Sequence, residues 1–145
     1  MRSAEGEDVS EENKVLARRW FEDFYNAHDP AVADEIVSPD CVVHDPNLPG
    51  LPPGPEGSKQ TARVFRGAFP DTRITVEDQV AEGDKVVTRW TARGTHQGDL
   101  MGIPPSGVSG EIAGVTINRI SRGKIAETWG SYDLLGLMRQ IGAVP

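Results

Sequence analysis

The spacing of apolar residues changes from helical to alternating at Pro70-Asp71, and that change restricts the fold more than any other feature. Before it the spacing is helical. Leu16, Trp20 and Phe24 lie four apart, flanked by Ala17, Phe21 and Tyr25, which predicts an amphipathic helix with a broad aromatic stripe. Ser10 is its candidate N-cap, with Glu11 and Glu12 complementing the positive end of the first turn. Asp29-Pro30 supplies a cap and a first helical residue for a short second helix carrying Val32, Ile36 and Val37, which Ser38-Pro39 ends. Residues 40–44 read as a short strand. Residues 45–57 hold five of the chain's eleven prolines and read as a stiff loop over a cavity mouth, neither helix nor central strand. A third helix, 58–69, buries Ala62, Phe65 and Phe69.

Beyond Pro70-Asp71 the residues alternate, as half-buried strands do. Ile74, Val76, Asp78 and Val80 share one face of a strand, and Glu82-Gly83-Asp84 turns it. The partner, 85–96, puts Val86, Thr88, Trp90, Ala92 and His96 on one face and Val87, Arg89, Thr91 and Arg93 on the other. A Gly- and Pro-rich connection, 97–107, leads to a strand over about 109–120. Gly123 supplies the positive φ of the next turn. In the last strand Ile125, Glu127, Trp129, Ser131 and Asp133 face one way, and Ala126, Thr128, Gly130 and Tyr132 the other. Helices followed by hairpin-linked strands are the pattern of an α+β fold, with helices on one face of an antiparallel sheet.

Composition narrows the partners. The chain has 145 residues, enough for one domain that buries roughly two thirds of its unfolded surface. We expect a disordered leader over 1–9 and a single domain over 10–145. The formal charge is −7 and no basic stripe exists, which disfavours a nucleic acid or an anionic membrane surface as partner. One cysteine, Cys41, excludes an intrachain disulfide and reads as a buried structural thiol. The N-terminal stretch is polar, and no apolar run is long enough to span a bilayer, so the expected location is cytoplasmic. His28, His44 and His96 lie far apart and offer no metal-ligand spacing; neither a phosphate-binding loop ending in Gly-Lys-Ser/Thr nor a Gly-x-Ser-x-Gly nucleophile elbow is present. No metal and no cofactor are expected.

The last strand is oddly polar for a core element, and its run into the tail, GKIAETWGSYDLLGLMRQIG over 123–142, resembles the C-terminal signature of the SnoaL-like polyketide cyclases, a branch of the NTF2-like superfamily. A second block, Gly94-Thr-His-Gln-Gly98 followed by Met101-Gly-Ile-Pro-Pro105, resembles the same family. With the aromatic helix around Trp20 the resemblance covers roughly 12–142. It implies a cone: a strongly curved antiparallel sheet wrapped around N-terminal helices, with an internal cavity and a homodimer formed through the sheet. It also implies a hydrophobic small-molecule substrate. In the ring-closing members an aspartate on the last strand serves as acid and base, accompanied by a histidine on the preceding strand. Gly130 occupies the first position here and Thr116 falls near the second, so both polar groups are replaced.

Candidate site residues follow from both readings. Asp133 ends the last strand and is either a general base at the cavity mouth or the N-cap of the terminal helix that begins at Leu134-Leu135. His44 is a base for chemistry near neutral pH or an exposed strand-end histidine. His96 shares the Trp90 face, or else is bonded within the Gly-rich turn after it. Trp90, Asn118, Trp129 and Tyr132 are candidate ligand contacts, joined by Thr116, Gly130 and His96. If Gly130 faces the cavity, Tyr132 does too and Trp129 points away. The expected activity is cofactor-independent, acid/base-promoted cyclisation or isomerisation of a hydrophobic polycyclic ligand in polyketide metabolism. The alternatives are a hydroxylase-type tailoring enzyme and a ligand-binding module without catalysis.

Overall fold

The change of spacing at Pro70-Asp71 is where an unbroken run of four strands begins, with one strand before it and one helix after the run. The computed structural model describes residues 4–145, with side chains from Val9 onward. Helix α1 (Ala4–Arg19) runs directly into a π-helical segment (Trp20–Asn26), followed by α2 (Pro30–Ile36), β1 (Val37–His44), α3 (Pro55–Ala68), β2 (Arg73–Glu82), β3 (Lys85–Thr95), β4 (Ser109–Ser121), β5 (Lys124–Tyr132) and α4 (Leu134–Gln140). The fold is α+β. Its five strands form one curved, unclosed sheet in the order β1-β5-β4-β3-β2. Among the described residues no helix is long and apolar enough to cross a membrane.

Several boundaries differ from the expected ones. Helix α1 begins at Ala4 instead of Ser10, so residues 4–9 of the expected leader are helical; residues 1–3 lie outside the described residues. An acidic run suits a helix N-terminus, where the macrodipole is positive. Helix α3 begins inside the proline stretch, because Pro55 at the first helical position has no N–H to lose and its φ is already helical. Strand β1 begins at Val37, which takes in Ser38-Pro39; a sheet edge tolerates a proline that a central strand would not. Strand β1 also runs parallel to β5, with Val43 opposite Thr128 and His44 opposite Trp129, so the sheet is mixed, not wholly antiparallel.

Three register shifts reset the alternation: one between Val37 and Val42 on β1, one between Val76 and Asp78 on β2, and one opposite Arg119 and Ile120 on β5. Ile74 is therefore buried while Val80 is 65% exposed, although strict alternation puts them on one face. On β5, Ile125 faces the core, and beyond the bulge Thr128, Gly130 and Tyr132 take over the inner side. The helices lie against this inner face. The main core joins Phe21, Phe24, Tyr25, Ile36, Val86 and Ile125; a smaller one joins Ala68, Phe69, Leu100, Leu137 and Ile141.

Candidate functional site

The inner face of the sheet and the helices do not meet everywhere. Between them lies a cavity of about 130 Å³, roughly ten times the space that one water needs. Six aromatic rings line it: Trp20, Phe21, Tyr25, Phe65, Trp90 and Tyr132. The polar groups on its wall include Asp45, Thr116, Asn118 and Thr128. Apolar walls with a few placed polar atoms are the usual makeup of a small-molecule site.

The π-helical segment supplies the aromatic roof. Its wider turn is marked by i→i+5 bonds, Ala27 N–H to Glu22 O at 3.2 Å and Asp29 N–H to Phe24 O at 3.1 Å. This turn puts Phe21, Phe24 and Tyr25 on the buried side together. π-Segments are rare in helices and frequent at functional sites. Asn26 anchors the segment to the sheet: its Nδ2 donates to Ile74 O at 2.7 Å and its Oδ1 accepts from Ile74 N–H at 2.8 Å. Trp20 Nε1–H donates to Ser58 Oγ at 2.9 Å, tying the roof to α3.

Strands β3, β4 and β5 build the floor. The Trp90 ring lies across β4 because residue 114 is glycine; a Cβ there would fall 2.4 Å from Trp90 Cζ2. Trp90 Nε1–H donates to Thr116 Oγ1 at 2.9 Å. Asn118 is buried, and its Nδ2 donates to Thr128 Oγ1 at 2.9 Å. Its Oδ1 has no partner among the described residues. Gly130 is an opening: a Cβ there would meet nothing within 4 Å.

Asp45 and Tyr132 close the far wall. Tyr132 O–H donates to Asp45 Oδ2 at 2.8 Å, and Asp45 Oδ1 accepts from Asn47 N–H at 2.9 Å. Burial, reinforced by the negative charge of Asp45, pushes the Tyr132 phenol well up, so it stays protonated. An open depression of about 440 Å³ under the proline loop shares Val43, Asp45 and Gly130 with the inner cavity. Asp45 and Gly130 thus stand where inner space meets outer.

Five of the candidate residues line the cavity: Trp90, Thr116, Asn118, Gly130 and Tyr132. The other four do not. His44 lies on the outer face, where its Nε2 meets Glu127 Oε2 at 2.7 Å and its ring stacks on Trp129 at 5.4 Å. The bond to His44, then Arg119, holds the Glu127 carboxyl below its ordinary range. Trp129 is outside with His44, as an inward Gly130 requires. Asp133 is exposed and caps α4, its Oδ1 accepting from Gly136 N–H at 2.9 Å. His96 is fully buried in the smaller core, stacked on Phe69 at 5.3 Å, with Ser106 N–H donating to its Nδ1 at 3.2 Å. The cap and the turn-bonded histidine were each one of two readings of the sequence. Asp45 had no reading of its own. The signal was there: neighbours on a strand face opposite ways, so an outward His44 implies an inward Asp45.

Residues 15–141 match the family model described as SnoaL-like polyketide cyclase. The chain belongs to the SnoaL-like polyketide cyclase family. It is 31% identical over 134 residues to aklanonic acid methyl ester cyclase DnrD of Streptomyces peucetius, covering 88% of each chain. The structure of TsrD from Streptomyces laurentii matches with a TM-score of 0.79 at 34% identity, over 90% of this chain and 97% of that one. IdmH of Streptomyces antibioticus matches with a TM-score of 0.77 at 33% identity, over 90% and 98%. This SnoaL-like chain has a cavity lined with aromatic rings. Its Gly130 and Thr116 both line that cavity, at the positions where the resemblance implies an aspartate and a histidine in ring-closing members.

Proposed function

We propose that this SnoaL-like protein is a cofactor-independent enzyme that holds a hydrophobic, polycyclic polyketide-type molecule in the cavity and promotes an acid/base step on it, cyclisation or isomerisation. The observation that carries this reading is the cavity walled by six aromatic rings with a few polar groups among them, which meets an outer depression at Asp45 and Gly130. Proton transfer to or from a positioned side chain contributes roughly 10²–10⁴-fold, and needs no cofactor. The likeness to a methyl ester cyclase favours ring closure. The test is to incubate purified protein with aromatic polyketide esters carrying a β-dicarbonyl side chain and to follow products by mass spectrometry and NMR. A ring-closed isomer of unchanged mass is the expected product. Unchanged ester, bound but never converted, would overturn the catalytic reading.

A second reading, a carrier without catalysis, draws on Gly130 and Thr116, which offer no acid in the places the resemblance implies one. Native mass spectrometry separates the two by showing whether the ligand released is altered. We also infer a homodimer formed through the outer face of the sheet, where Val80, Val87, Ile117 and Trp129 stand level on four adjacent strands.

A further inference from the structure

We propose that Asp45, held by the Tyr132 hydroxyl, is the acid–base group of this cavity, and that it acts from the neighbouring strand on the space Gly130 leaves open. The inference rests on the small-molecule reading above and adds the residue and the ligand chemistry.

The register comes first. Strand β1 pairs in parallel with β5, Val43 opposite Thr128 and His44 opposite Trp129. Asp45 is the next residue along, just past the end of β1, as Gly130 is the next after Trp129. Both line the inner cavity, and nothing fills the position of a Cβ on Gly130. A carboxylate is thus brought from an adjacent strand to a part of the wall where β5 has no side chain.

The surroundings of Asp45 suit proton transfer. Its two hydrogen bonds come from neutral donors, Tyr132 O–H on Oδ2 and Asn47 N–H on Oδ1. Each carboxylate oxygen has two acceptor sites, so capacity for a ligand proton remains. Tyr132 reaches Asp45 from two residues beyond Gly130 on the same face, and its ring is fixed edge-on by Phe65 at 5.7 Å. It is a positioning residue. The Asn47 bond also fixes the start of the loop that follows, which holds the Asp45 carboxylate in place.

The rest of the wall defines the ligand. Asn118 Oδ1 is a buried acceptor without a partner among the described residues, which calls for a donor such as a ring hydroxyl. Thr116 Oγ1 accepts from Trp90 and keeps its own O–H to donate to a carbonyl. These two groups select an aromatic ligand with a hydroxyl to give Asn118 and a carbonyl to take from Thr116; the cyclisation proposed above requires in addition a methylene between two carbonyls. In the step, an Asp45 oxygen takes a proton from that methylene. The electron pair of the broken C–H bond forms a C–C bond to a ketone carbon of the same molecule. The ketone oxygen takes the proton back from Asp45, and nothing is gained or lost.

Ethyl naphthoylacetate, an aryl β-keto ester, is the probe. Binding is read from tryptophan fluorescence, and proton abstraction from exchange of the methylene in heavy water by NMR. Wild type is expected to bind and to speed exchange. Asp45→Asn, which keeps an acceptor oxygen for Asn47 N–H and turns an NH2 toward the Tyr132 oxygen, should be folded by circular dichroism, bind within about twofold, and lose about a hundredfold in exchange rate. Tyr132→Phe should lower kcat for exchange with KM unchanged. Gly130→Asp added to Asp45→Asn should recover part of the rate, because the acid returns to the open wall. Wild-type exchange in folded, ligand-binding Asp45→Asn would overturn the proposal and leave the small-molecule reading standing. So would binding to wild type without faster exchange. Absence of binding to wild type would end both.

Discussion

Two glycines on adjacent strands carry opposite expectations. Residue 114 has the Trp90 ring where a Cβ would be, so Gly114→Ala must shift the ring and strain its bond to Thr116. Overpacking of this kind costs about 1–3 kcal/mol, measurable by denaturant unfolding, and it should abolish ligand binding. Gly130 faces open space and has no positive φ, so Gly130→Ala should stabilise by about 0.4–1 kcal/mol through the unfolded chain. Cys41 gives a pH signature. Burial pushes its thiol from an ordinary value of 9.0 up to about 11. The unfolded thiol ionises first, so stability holds below pH 9.0 and falls by roughly 1.4 kcal/mol per pH unit until the folded thiol titrates. Unfolding at pH 8 and pH 10 should show this slope in the wild type minus Cys41→Ala difference. Residue identity made some of this legible. Asp133 before Leu134-Leu135 reads as a cap, and it is one. The choice between His44 and Asp45 was not legible from types alone, since both are plausible proton carriers and only the facing of β1 separates them.

At the scale of elements, the π-helical segment is held in register by one side chain. Asn26 serves both the N–H and the C=O of Ile74 at the start of β2. Asn26→Ala leaves a part-buried donor and acceptor unpaired and should cost about 1–3 kcal/mol in thermal or denaturant unfolding. Asn26→Asp should also destabilise, because a carboxylate accepts from the N–H but cannot donate to the C=O. The helices and strands themselves were readable because spacing is averaged over many residues: β3 shows its expected faces, with Val86, Thr88 and Ala92 buried. Bulges were not readable, because one inserted residue leaves the composition untouched while reversing every side chain after it. Pro55 misled in a different way. A proline excludes helix interiors, yet it favours the first turn, and only the path of the chain decides between the two.

For the molecule as a whole, the outer face of the sheet is where the proposed dimer would form. Val80, Val87, Ile117 and Trp129 form a row across four strands, flanked by the ion pairs Arg119–Glu127 and Arg89–Asp78. Light scattering on the wild type should report a dimer, and Ile117→Lys, central in that row, should report a folded monomer. A monomeric wild type would assign the row to some other partner. The parallel pairing of β1 with β5 has a consequence for biosynthesis. Polypeptides emerge from the ribosome N-terminal end first, at about 5–20 residues per second. Val43 must therefore wait for Thr128 to appear before β1 has a strand to pair with, although α3 already lies against it. Until then the backbone of β1 has no sheet partner. The chamber closes only near the end of synthesis, and a chain broken off before β5 lacks the wall that carries Thr128, Gly130 and Tyr132.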